Sequence, residues 1–238
     1  MHQLFLLVLK YTKNCVRKAK SMQPIQGFIA DSYHFYQIAK DAYFKASEGF
    51  EIHRQNDALI SIIFSALALE AFINEVLSLA KDAKQAGESE AFLDKLIDAI
   101  DESAFKKSTP EKFMLASEAL NSGFKKGENP YQNFADLFSL RDCLGHLKPE
   151  DRIEEGENGE FKYIGRKLTE RLRSKGIFQN HTQVESITLL VSTAKAARWA
   201  CNTASEMVNA ILDKIPTSFS NNNEVINLYR TKFQPPDK

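Results

Sequence analysis

The sequence predicts an all-α protein, a bundle of about six helices with a short irregular or β-hairpin insertion near residues 150–165. Three observations carry that reading. Apolar residues recur at helical spacing through most of the 238-residue chain. Gly and Pro total only 10 and 7, which leaves long stretches free of helix breakers. Helix start and stop signals also fall between the periodic stretches.

The first helix is expected from about Ile25 to Phe50, rich in core aromatics such as Phe28, Tyr36 and Tyr43 and stopped near Gly49. The second, from about Asn56 to Lys84 with Asn56 as its cap, is apolar on nearly all sides. Between Ile60 and Ala80 its only polar residues are Ser61, Ser65, Glu70, Asn74, Glu75 and Ser78, the pattern of a central buried helix. A third helix is placed from about Glu88 to Lys106. A fourth opens at Thr109-Pro110, where proline suits the first turn, and ends near Asn121 and Gly123. A fifth runs from Asn129-Pro130 to about Lys148, before Pro149. The charged, Gly-containing stretch 150–163 is read as a hairpin or loop, and the basic stretch from Lys162 to Lys175 as a solvated amphipathic helix. Thr182 with Glu185 reads as a capping box opening a long last helix to Ile215. Residues 1–21 are assigned as an N-terminal extension, 22–215 as the helical domain and 216–238 as a flexible C-terminal tail.

Composition narrows the function. Lys plus Arg and Asp plus Glu balance at 31 each, which argues against coating nucleic acid by bulk charge. Cys15, Cys143 and Cys201 form neither a metal-like pair nor a disulfide framework, so a reducing, cytoplasmic setting is expected. The apolar run Leu4 to Leu9 is shorter than a signal peptide core and far short of a membrane span of about 20 residues. No membrane role is expected. His34, His53 and His181 show no ligand spacing, so neither a metal site nor a cofactor is expected. Glycine-rich phosphate loops and serine-nucleophile motifs are absent.

The chemistry gathers on the fifth helix. Arg141 lies four residues after Leu137 and three after Phe138, so it leans toward the apolar side. Asp142 and His146 are four apart and share a face, where the carboxylate can orient the imidazole. Histidine suits proton transfer near neutral pH, and arginine offers a fork for phosphate. Five residues separate Arg141 from His146, about 140° around a helix, so one regular helix does not aim both at a single atom. Distortion at Gly145, or two copies facing each other across a dimer, would close the gap. The dimer is preferred. On the second helix, Glu70 and Asn74 share the stripe of Ile63, Leu67 and Leu77. A carboxylate there needs a partner. Arg141 is the natural one, with Asn74 hydrogen-bonding close by.

The segment Leu140-Arg141-Asp142-Cys143-Leu144-Gly145-His146 resembles the R-x4–6-H motif of HEPN domains, with a polar residue after the arginine. The segment Ala68 to Asn74 resembles that family's apolar helix with its embedded Glu and following Asn. The resemblance covers about residues 25–215. It implies a homodimeric helical bundle acting as a metal-independent endoribonuclease or an RNA-binding protein, of the kind found in toxin–antitoxin and phage-defence systems. An RNA substrate and an antitoxin or other partner protein come with it. In that reading the catalytic residues are Arg141 holding the scissile phosphate, His146 as general base or acid and Asp142 orienting it. Glu70 and Asn74 support them. The alternative is a non-catalytic dimeric helical interaction module. The 149–181 insertion and the 1–21 extension depart from the family pattern.

Overall fold

In a computed structural model of the chain, the structure describes residues 30–48, 55–88, 90–99, 107–121, 123–146, 153–155, 161–163, 167–178, 187–220 and 223–237. These carry ten helices and one small hairpin. The helices are α1 (Ser32–Ser47), α2 (Gln55–Gln85), α3 (Ala91–Ala99), α4 (Thr109–Ala119), α5 (Tyr131–Gly145), α6 (Lys167–Ser174), α7 (Ile187–Val191), α8 (Ala194–Leu212), α9 (Thr217–Ser220) and α10 (Glu224–Lys232). Strands β1 (Ile153–Glu155) and β2 (Phe161–Tyr163) pair antiparallel, with Ile153 opposite Tyr163. The all-α expectation holds, and a hairpin does sit in the predicted insertion. The count of about six is corrected to ten, because short helices occupy segments read as loop or tail and one long helix is split.

No glycine or proline interrupts α2 over its 31 residues. It ends where Gly87 adopts φ +91 and Glu88 donates its N–H back to the Ala83 carbonyl, a left-handed cap that a side chain would strain. By length and composition α2 could cross a membrane, yet over half of its most apolar window is buried inside the fold. It packs chiefly against α1 and α8. Small residues allow the close approach to α8: Ala58, Ser61, Ser65 and Ala66 on one side, Ala197, Ala200, Cys201 and Ala204 on the other, all buried. The expectation that α2 is enclosed all round is too strong, since Ile60 and Ile63 are 38% and 37% exposed. Asn56 lies inside α2, which begins at Gln55, so it is not the cap.

Other boundaries move as well. The first helix begins at Ser32, while the expected start near Ile25 and stop at Gly49 lie outside the described residues. The third helix is described only as Ala91–Ala99. The long helix expected from Thr182 to Ile215 is two. Thr193 leaves helical geometry at φ −132, ψ 147, and its hydroxyl accepts the Ala196 N–H at 3.0 Å, starting α8 afresh. The capping box at Thr182 and Glu185 lies outside the described residues.

The largest correction concerns the tail. Residues 216–220 and 223–237 are not a loose end. Asn223 caps α10 by accepting the N–H groups of Val225 and Ile226 at 3.1 and 3.2 Å. Ile226, Tyr229 and Phe233 then fall three and four residues apart on one face, and all three are buried. Phe233 stacks on Tyr36 at 4.7 Å between ring centroids and meets Phe72 at 5.8 Å. The polar run Asn221-Asn222-Asn223 reads as a linker in sequence, but its last member works as a cap.

The basic segment forms α6, as expected, and Leu168 and Leu172 anchor it in the core. Two of the basic stretch's cations are ion-paired rather than simply solvated. Arg171 Nε and Lys175 Nζ reach the fully buried carboxylate of Asp136 on α5 at 2.8 and 2.6 Å, and Gln132 donates to it at 3.1 Å. Asp136→Ala is expected to lower stability by about 2 kcal/mol, below the usual cost of breaking a buried pair, because both cations are partly exposed and can rehydrate. A thermal melt shifted by less than one degree would contradict that role.

Candidate functional site

The predicted site residues lie at the C-terminal half of α5, where it passes α2 and the start of α4. A groove of about 480 Å³ opens there. Glu70 of α2 borders it, as do Lys107, Ser108 and Lys112 around the start of α4, and Phe138, Ser139, Arg141 and Asp142 of α5. Three cations face two carboxylates, so the lining is net positive although the whole chain is neutral.

Arg141 is held on three sides. Its guanidinium carbon lies 5.0 Å from the Phe138 ring centroid. Nη1 is 3.5 Å from Glu70 Oε2, the partnership expected from sequence. Nε is 3.0 Å from Asp142 Oδ1, but its N–H points off that oxygen, so Nε is buried without a hydrogen bond. The Glu70 and Arg141 side chains are 43% and 32% exposed. A buried ion pair was expected; the pair is instead half-solvated. At that exposure it contributes at most about 1 kcal/mol to stability. Its effect is to orient Arg141.

Asn74 is near the same spot but serves another cation. Its Oδ1 accepts from Lys112 Nζ at 2.8 Å. Ser108 donates both its N–H and its hydroxyl to Glu111 at 2.7 and 2.8 Å. Those bonds, the hydroxyl's first, hold the Glu111 carboxyl below the ordinary carboxylate range. Lys107, Ser108 and Lys112 were not singled out from sequence. The Thr109-Pro110 helix start was the available signal, because it brings the residues around it to one helix end.

His146 does not join this groove. α5 ends at Gly145, and His146 takes φ −137, ψ 82 as its exposed cap, keeping only its backbone N–H on the Asp142 carbonyl at 3.0 Å. The four-residue register expected to join Asp142 and His146 therefore fails at the side chains. Among the described residues the Asp142 carboxylate pairs with Arg141, and no ion pair links it to His146. His146 is absent from the residues that line the groove beside Arg141.

The buried carboxylate of α2 is Glu75, five residues past Glu70. It accepts the backbone N–H groups of Asp31 and Ser32 at 2.7 and 2.9 Å, the Ser32 hydroxyl, and the Tyr229 hydroxyl at 2.6 Å. One side chain of α2 thus caps the first turn of α1 and fastens α10. Burial, reinforced by the Glu75 charge, pushes the Tyr229 phenol well above its usual value, which keeps it a donor. Among the described residues no group of three or more His, Cys, Asp or Glu side chains is arranged to hold a metal ion.

Comparison with known proteins does not place the chain in a family. No family model matches it, and neither does any curated protein or solved structure.

Proposed function

We propose that this chain is an HEPN-like RNA-binding protein that acts as a metal-independent endoribonuclease when two copies pair in the cytoplasm, in the manner of a toxin or phage-defence effector. The observation that carries the reading is the placement of Arg141. Glu70 and Phe138 hold it at the edge of a net-positive groove, while the helix that bears it ends at an exposed histidine.

In this reading Arg141 and the groove lysines hold one phosphate of a single strand. The imidazole of His146, supplied across the dimer, takes the proton of the adjacent ribose 2′-hydroxyl. The 2′ oxygen bonds to phosphorus, the bond to the 5′ oxygen of the next nucleotide breaks, and that oxygen takes a proton as it leaves. The products are a 2′,3′-cyclic phosphate and a 5′-hydroxyl. Arg141 stabilises the charge that develops on the phosphate oxygens.

One observation favours the second reading, a non-catalytic dimeric module. His146 lies outside the groove of its own subunit, and two carboxylates already compete for Arg141. The experiment is cleavage of a mixed single-stranded RNA pool in a chelator by wild type, Arg141→Ala and His146→Ala. Each variant is expected to lose at least about a hundredfold in rate. Mixing the two variants should restore part of the activity, because one composite site then keeps its arginine from one copy and its histidine from the other. Cleavage that survives both substitutions sinks the enzymatic reading. Dimerisation and salt-dependent RNA binding without any cleavage would establish the module instead.

A further inference from the structure

A second cavity, of about 410 Å³, lies on the far side of α5, between Asn133 and one partly exposed stripe of α8. The stripe runs Lys195, Arg198, Trp199, Asn202 and Glu206, residues three, four and seven apart that share one helix face. It shares no lining residue with the Arg141 groove.

Three side-chain atoms here are buried without a hydrogen-bond partner: Arg198 Nε, Trp199 Nε1 and Asn202 Oδ1. Polar atoms shut away from water are almost always paired in folded proteins. Only five such atoms occur among the described residues, and three of them belong to residues within two turns of α8 that line this one cavity. Two are N–H donors and the third belongs to an amide that offers both a donor and an acceptor. Their clustering is what a site looks like when its hydrogen-bonding partner is a ligand.

The stripe is also graded. Lys195 and Arg198 make its first turn cationic. Trp199 follows, half-buried against the core. Asn202 and Glu206 end it with groups that hydrogen-bond without adding positive charge, and burial raises the Glu206 carboxyl above its usual range. The eleven steps from Lys195 to Glu206 rise roughly 16 Å, enough for an anionic group at one end and a ring at the other.

We propose that this cavity binds a ligand made of a planar hydrogen-bonding ring and an anionic group, a nucleoside monophosphate either free or as one unit of a single strand. The phosphate lies against Lys195 and Arg198 as a charge-assisted pair. The ring stacks on the Trp199 indole, and its edge meets Asn202 and Glu206. The proposal stands independently of the Arg141 groove, and its failure would leave the nuclease reading untouched.

Trp199 is the only tryptophan in the chain, so its fluorescence reports on this cavity alone. The full-length protein is titrated with the four nucleoside 5′-monophosphates, with a short single-stranded RNA, with ribose 5-phosphate and with inorganic phosphate. Saturable quenching by at least one monophosphate or by the RNA is expected, with ribose 5-phosphate and phosphate weaker by about tenfold or more. Arg198→Met and Asn202→Leu, at half-buried positions and checked by thermal melting, should each weaken binding about tenfold or more. Calorimetry on Trp199→Phe, which keeps an aromatic ring, should show reduced but measurable affinity. Quenching by a monophosphate assigns a free nucleotide; quenching by RNA alone assigns a strand. The proposal is overturned if nothing quenches at millimolar concentration, if phosphate alone binds as well as a nucleotide, or if neither α8 variant changes the affinity.

Discussion

Deleting residues 216–238 should abolish cooperative folding. The deletion removes the buried side chains of Ile226, Tyr229 and Phe233. Burial of each is worth about 1.5–3 kcal/mol, so the loss is of the order of 5–9 kcal/mol. Net stabilities of domains are about 5–15 kcal/mol, so this loss alone can exhaust the margin. More is lost than area. Tyr36 and Phe72 lose their ring contacts with Phe233. The Phe233 carbonyl, which accepts from Ser205 and Asn209, goes too, as does the Gln234 carbonyl that accepts the Tyr36 hydroxyl. Near-ultraviolet circular dichroism and a thermal melt of the shortened chain measure this. A sharp transition within a few degrees of full length would show that the segment is dispensable.

Glu75→Ala is the second large effect, expected at about 3–5 kcal/mol, or a fall in melting temperature of roughly 10 °C. The carboxylate is nearly enclosed, at 9% exposure, so its four donors have little water to turn to. Two backbone N–H groups at the start of α1, the Ser32 hydroxyl and the Tyr229 hydroxyl would be left unsatisfied. Tyr229→Phe removes one donor only and should cost about 1 kcal/mol. The double variant should fall short of the sum of the two, because both act on the same contact. The Tyr229 phenol also sets a pH dependence. Its pKa is raised in the fold, so the stability it brings is intact below the usual tyrosine value and is lost as pH rises above it. Alkaline melts of wild type should therefore fall off more steeply than those of Tyr229→Phe. If Glu75→Ala melts like wild type, the carboxylate is not the fastener described here.

Much of the candidate site was legible because its signals are local. Leu137, Phe138 and Arg141 share a helix face by spacing alone, and Arg141 does lie against Phe138. A lone carboxylate at Glu70 called for a cation, and Arg141 is the one beside it. The pairing of Asp142 with His146 misled because residue spacing has geometric meaning only while a helix continues, and α5 stops one residue earlier. Asn74 was placed in the right neighbourhood with no partner named, since nothing local announces that Lys112 of α4 reaches it. The Arg198, Trp199 and Asn202 stripe went unremarked because exposure and missing partners are properties of the packed chain.

By itself the sequence determined the helical class, the existence and course of α2, the proline start of α4 and the face of α5 that carries Arg141. Hydrophobic period, glycine scarcity and capping chemistry act over a few residues, so they can be read along the chain. Only the tertiary structure decided which carboxylate of α2 is buried, that Thr193 splits the last long helix, and that the final residues return to close the core. The first and last of those outcomes depend on groups brought together across 154 positions, as Glu75 and Tyr229 are, and 198, as Tyr36 and Gln234 are. Contacts at that separation leave no periodic trace, because the free energy that selects them is gained only when the distant elements pack.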